Sequence, residues 1–266
     1  MEYQQSSLIK TMQNIMQKKL DLTKITTSNT VSSDLLSTQA DENLQKDLNE
    51  IKPVLMQMQP RHLDECIESI RNNVNIPKVW FRAFTEPGVC AAMNEFVATT
   101  NYSHYIINSD DVIVYKDAID CVLKHAESYD VFTGWVNMHM IGDKMSDISN
   151  VAKGKLTLSG STPARDDYPP WETVEQVLEI PGVQETCFAS FAISCFSRKV
   201  LTRYSLQTYS SRSSSDHHLA YRMQQEGTYK IYTHRDAFCL HLRQGWEPYR
   251  KKWLVGNQPP EIIYEI

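Results

Sequence analysis

From Ile51 onward, short apolar runs alternate with segments whose apolar residues recur every three or four positions. "KPVLMQ" reads as a short buried strand. After Pro60, Leu63, Cys66, Ile67 and Ile70 fall at helical spacing and predict a helix of about three turns. "PKVWFRAF" predicts a second strand, opened by Pro77 and rich in aromatic residues. "GVCAAMNEFVATT" predicts a second helix and "HYIIN" a third strand. "YKDAIDCVLKHAES" follows as a third helix, with Ala118, Ile119, Val122 and Leu123 on one side. "DVFTGWVNM" gives a fourth strand. This alternation predicts an α/β domain with a mixed, mainly parallel sheet flanked by helices.

The pattern weakens between residues 141 and 182. "LSGSTPARDDYPPWE" combines Gly, Pro, Ser and charge and predicts a mobile or ligand-facing loop. Beyond it, "TCFASFAISCFS" is a buried-strand signal and "RKVLTRYSL" starts a helix. "SSDHHLAYRMQQEGTYKIYTHRDAFCLHL" reads as a helix, a stop at Gly227, and a strand. Residues 1–50 are of another kind, rich in Ser, Thr, Gln, Asn and Lys, with no Trp or Phe. Leu8, Ile9, Met12, Ile15, Met16 and Leu20 predict a short amphipathic helix there, and "ITTSNTVSSDLLSTQ" a linker. The expected organisation is an N-terminal helical or partly disordered extension, residues 1–50, and one domain, residues 51–266.

Composition narrows the function. The 266 residues are 41% hydrophobic, enough for a sizeable core, and the formal charge of −5 argues against a general nucleic-acid binder. An anionic ligand would need a local metal or basic loop. There is no apolar run of about 18 residues to span a membrane, and MEYQQSSLIK lacks the parts of a signal peptide. Six cysteines without a CxxC pair suggest buried thiols in a reducing compartment, hence a cytoplasmic protein. Lys10, Lys18 and Lys19 could bring the N-terminal helix to an anionic membrane surface. Packing on its own domain or a partner protein is the preferred reading.

The candidate chemistry centres on "YIINSDDVIVYKDAI". Asp110 and Asp111 stand at the end of a predicted strand, where ligands of open α/β sheets collect. Carboxylates there suit Mg²⁺ or Mn²⁺. For an isolated "DD", a turn or helix cap is the commoner explanation. The surrounding order of motifs changes those odds. "LDECIESIRNN" resembles the "YLKECLESIRNQ" opening helix of family 2 glycosyltransferases. "CAAMNEFVATTNYSHYIINSDDVI" resembles their "AARNxGIxxAxGEYIxFLDxDD" segment, with Asn94 on its Asn and Asn108, Ser109 and Asp110 on the D-x-D positions. "SSDHHLAYRMQQEGTYKIY" is similar to "xEDxDLxxRLxxxGxKIxY", with Asp216 three residues before Leu219. The resemblance spans about residues 52 to 245.

The resemblance implies a GT-A (Rossmann-like) fold and an inverting, metal-dependent glycosyltransferase using a nucleotide-diphosphate sugar. It implies Asp110, Asp111 and His241 as ligands of Mn²⁺ or Mg²⁺, and Asp216 as the general base. Nucleotide contacts are expected from Gln57, Thr85, Asn94, Asn108 and Asp110. The acceptor would be a glycan, a lipid-linked group or a protein. Several positions depart from the pattern. Asn108 replaces the first acid, Gln57-Met58-Gln59 replaces the usual Thr-Tyr-Asn, Met93 replaces an Arg, and Ser215 replaces the acid before Asp216. These departures keep a second reading open, a non-catalytic GT-A scaffold that binds a nucleotide, glycan or partner. A nucleotidyltransferase would carry a Gly-rich basic loop after the first strand, and "MQMQPRHLDE" has no glycine. Trp135 and Trp171 are minority candidates for a sugar platform. Arg243, Arg250, Lys251 and Lys252 read equally as residues that close over a diphosphate and as a solvated basic tail. Adjacent on a helix, His217 and His218 are expected to be solvated or supporting rather than metal ligands.

Overall fold

The first three predicted strands form, and each is followed by its predicted helix. The computed structural model describes residues 52–61, 63–82, 85–137, 140–141, 144–145, 147–157, 170–207, 215–242 and 259–265. The predicted N-terminal helix and linker, most of the Gly/Pro-rich loop, and the basic tail with Arg243, Arg250, Lys251 and Lys252 lie outside the described residues. In chain order the elements begin β1 (Pro53–Met58), α1 (Asp64–Asn73), β2 (Lys78–Arg82), α2 (Glu86–Thr99), β3 (His104–Ser109) and β4 (Val112–Ile113). They continue with α3 (Lys116–Ala126), β5 (Val131–Val136), β6 (Met140–Ile141), β7 (Lys144–Met145), β8 (Ile148–Ala152), β9 (Trp171–Thr173) and α4 (Val174–Leu178). The rest are β10 (Val183–Thr186), β11 (Ile193–Ser197), α5 (Arg198–Arg203), α6 (Ser215–Glu226), β12 (Ile231–His241) and β13 (Glu261–Glu265).

Local chemistry explains the helix limits. Asp64 and Glu65 open α1 and Arg71 closes it, each at the end whose partial charge it complements. Thr85 caps α2 by accepting the Gly88 N–H at 3.3 Å, with Pro87 in the first turn. Gly227, at φ +65°, takes the left-handed conformation that ends α6.

The main sheet has the order β10-β12-β5-β11-β3-β1-β2-β13, with β4 pairing on β12. The expected parallel pairing holds for β1 with β2 and β3, and for β5 with β12. β11 runs antiparallel between β3 and β5, and β10, β4 and β13 are also antiparallel to their neighbours. The fold is therefore mixed α/β. Apolar run length predicts a strand but not its direction, which depends on whether a crossover intervenes.

Alternation along the strands gives two apolar faces. Val54 and Met56 of β1 join Val89, Met93, Phe96, Val200, Leu219 and Met223, from α2, α5 and α6. Leu55 joins Ile70, Ala118, Ile119 and Val122, from α1 and α3, on the other. β5 fits between β11 and β12 because position 134 is glycine. A Cβ there would lie 2.3 Å from Ile193 Cγ2 and 2.8 Å from the Ala237 carbonyl oxygen.

Candidate functional site

β1, β2, β3, β5 and β12 all run the same way, so their carboxyl ends share one edge of the sheet. That edge carries Gln57 from β1, Asn108 from β3 and the acid pair in the turn after it, Asn137 just after β5, and His241 at the end of β12. The amino end of β11 joins them because β11 is reversed.

Asp110 and Asp111 are both buried, and their partner is Arg61, three residues past the end of β1. Asp110 Oδ2 accepts the Arg61 backbone N–H at 2.6 Å. Its Oδ1 accepts Arg61 Nε–H at 2.9 Å and also an Nη2–H. Asp111 Oδ2 accepts Arg61 Nη1–H at 2.9 Å and lies 2.8 Å from His241 Nε2. Burial pushes the Asp110 carboxyl up to about 6 against the pull of Arg61, with the Asp111 charge adding to the rise. Burial acts the same way on Asp111, but the hydrogen bond and charge of His241, with those of Arg61, outweigh it and leave the group at about 2. Asp110 is thus the acid that gains a proton first. Burial lowers the pKa of Arg61, yet the two carboxylates more than offset this and keep the guanidinium charged.

This arrangement bears directly on the expected Mn²⁺ or Mg²⁺. A divalent ion needs open oxygens at close range, and the acid pair already holds a guanidinium. As arranged, the pair does not fit the ion unless Arg61 leaves. Among the described residues no group of three or more His, Cys, Asp or Glu is placed to hold a metal. Two buried polar atoms beside the acid pair, His241 Nδ1 and Asn137 Nδ2, have no hydrogen-bond partner among the described residues.

Below the acid pair runs a chain of amides. Gln59 Nε2 donates to Gln57 Oε1 at 3.0 Å, and Gln57 Nε2 donates to Asn108 Oδ1 at 2.8 Å. Asn108 Nδ2 then donates to the Ala192 carbonyl. Gln57 and Asn108 are opposite each other in the β1–β3 register, which is why their side chains meet. Both are fully buried.

Asp216 lies in the first turn of α6, half-buried between buried Ser215 and buried His217. Its Oδ2 accepts the Phe191 backbone N–H at 3.4 Å and its Oδ1 the His217 N–H at 2.8 Å. Asn108 and Asp216 therefore bind adjacent residues, Ala192 and Phe191. Glu86, buried at the start of α2, accepts both the backbone N–H and the hydroxyl of Ser215 at 2.9 Å. Burial pushes its carboxyl up to about 7, against the Ser215 hydrogen bonds and with the Asp216 charge adding to the rise.

The other expected residues are occupied elsewhere. Thr85 is the α2 cap. Asn94 donates to the Leu206 carbonyl at 2.9 Å and accepts the Leu206 N–H at 2.8 Å, pinning the turn after α5. No described hydrogen bond joins it to the cluster. Trp135 is buried in the core, its Nε1–H on the Arg235 carbonyl at 3.0 Å. Trp171 stands edge-on to Phe188. His217 and His218 are buried rather than solvated, because the first turn of α6 presses on α2 and the 156–157 segment. Sequence reasoning missed Arg61 as a site residue and gave Glu86 no role. A basic residue just past the carboxyl end of β1 was the available signal for the first. An acid at a helix start that no partner in the sequence explains was the signal for the second.

No family model matches the chain. No curated protein matches it in sequence. No described helix is long and apolar enough to cross a membrane. Among solved structures, the chain is similar to A197 from STIV, with 13% identity and a TM-score of 0.44 over 69% of this chain and 81% of that one. It is also similar to the inositol-1-phosphate CTP transferase from T. maritima, with 10% identity and a TM-score of 0.39 over 79% of this chain and 80% of that one.

Proposed function

We propose that the domain transfers a sugar from a nucleoside diphosphate donor to an acceptor hydroxyl, with inversion. The supporting observation is the convergence of Asn108 and Asp216 on adjacent residues at the amino end of β11. It joins the strand-end segment and the acidic helix start into one site at the carboxyl edge of the sheet, where ligands of such sheets bind. In this reading Gln57 and Asn108 hold the strand ends in place. Asp216 is the least buried residue of the first turn of α6 and so the one an acceptor can reach.

The acceptor oxygen attacks the anomeric carbon from the face opposite the diphosphate. A new carbon–oxygen bond forms as the bond from that carbon to the diphosphate oxygen breaks, and its electron pair leaves with the nucleoside diphosphate. The acceptor proton passes to an Asp216 carboxylate oxygen. The two backbone N–H groups on Asp216 fix its direction for this transfer.

Asp216→Asn should reduce transfer from UDP- or GDP-sugars by at least ~100-fold while nucleotide affinity is kept. Full transferase activity in that variant would overturn the assignment of the base. The engagement of both strand-end acids by Arg61 favours a second reading, a GT-A-like scaffold that binds a nucleotide, glycan or partner without turnover. It predicts thermal stabilisation by ligand with neither transfer nor donor hydrolysis.

A further inference from the structure

We propose that Arg61 is the built-in cation of this site, taking the position at Asp110 and Asp111 that a divalent ion would otherwise fill, so that the site binds a diphosphate without metal. This rests on reading the sheet edge as a diphosphate site. The geometry supports it in three ways. First, Arg61 is held as a fixed part of the site, since its backbone N–H and its side chain both bind Asp110 while a second branch of the guanidinium binds Asp111. Second, the acid oxygens are taken: the side chains of Arg61, Asp110 and Asp111 are 6%, 1% and 7% exposed and bonded to one another, so an ion arriving from water finds no open ligand.

Third, the charge has the right sign: Arg61 sets a fixed positive charge between the two carboxylates, where a divalent ion would otherwise stand. A guanidinium is in addition a good phosphate partner, planar and permanently charged. With its fork committed to the two acids, Arg61 acts on the leaving diphosphate through the field of its fixed charge rather than by replacing the contacts of a metal. Asn108 fits the same picture, because its amide is committed to Gln57 and Ala192 and adds no third carboxylate for an ion.

The test uses the full chain and two readouts. Mn²⁺ is titrated in the absence of nucleotide and followed by electron paramagnetic resonance. Wild type should show no site at millimolar Mn²⁺. Arg61→Gln should open one, and adding Asp111→Asn should close it again. Should Arg61→Gln fail to fold, Arg61→Lys keeps the charge, and it should still exclude Mn²⁺ while binding UDP or GDP about tenfold more weakly through loss of the fork. The second readout is calorimetric affinity for UDP and GDP, which should agree within about twofold in EDTA and in Mn²⁺. A wild-type Mn²⁺ site, nucleotide binding that needs Mn²⁺, or unchanged affinity in Arg61→Lys would overturn the role of Arg61 and leave the transferase reading standing. No nucleotide binding in either buffer would overturn both.

Discussion

Asn108 shows how much a single amide can decide. It stands where a carboxylate would be expected in a metal-binding strand end, yet its surroundings demand an amide. Its Nδ2 donates to the Ala192 carbonyl, and its Oδ1 accepts from Gln57 in a fully buried position. Asn108→Asp would set a carboxylate oxygen against that carbonyl and bury a charge. We expect a loss of about 2–4 kcal/mol in urea unfolding and no gain in Mn²⁺ affinity. A variant as stable as wild type would show that the amide chain is not structural. The sequence grouped Asn108, Asp110 and Asp111 as one motif. The structure divides them, since alternation turns Asn108 toward Gln57 while the turn that follows hands both acids to Arg61. Their partners lie 49 to 51 residues earlier, and no local pattern points across that gap.

Among elements, the helices were the most legible, because a 3.6-residue period over ten or more positions leaves little choice of state. α1, α2, α3 and α6 fall where the apolar spacing predicts them. Short strands were the least legible. β4 and β9, of two and three residues, are too brief to show a period, and β4 exists because β12 offers it a partner at Leu240 and His241. β13 closes the β2 edge, with Ile263 turned inward and Ile262 and Tyr264 exposed. Within the sheet, Gly134 is a packing requirement that only the tertiary structure reveals. Gly134→Ala would force its new methyl into Ile193 and the Ala237 carbonyl. Overpacking of this kind costs about 1–3 kcal/mol, so the urea midpoint should fall with little change in slope. An unchanged midpoint would mean that β5 can shift without cost.

For the molecule as a whole, the buried Glu86 ties stability to pH. Its carboxyl has an ordinary value of 4.5 and is held at about 7 in the folded protein. Between those values the unfolded chain has lost a proton that the folded chain keeps. Stability from this group is therefore complete below pH 4.5, declines as pH rises, and levels off above about pH 7. The full span is at most about 3 kcal/mol. Glu86→Gln should remove this slope. Parallel curves of unfolding free energy against pH for the two proteins would show that Glu86 titrates alike in the folded and unfolded chain. The α/β class could be read from the chain, and so could the two regions that build the site. Strand direction and the Arg61 lock could not, because both depend on contacts between distant residues.

The candidate site is a product of long loop closures, of which β11, the reversed strand within the sheet, supplies one. Asn108 meets Ala192 across 84 residues, Glu86 meets Ser215 across 129, and Asp111 meets His241 across 130. Contacts of such separation carry the largest closure entropy and tend to slow folding. The candidate site is then among the last regions to assemble, and a ligand held there slows the unfolding of the sheet rather than the loosening of one loop.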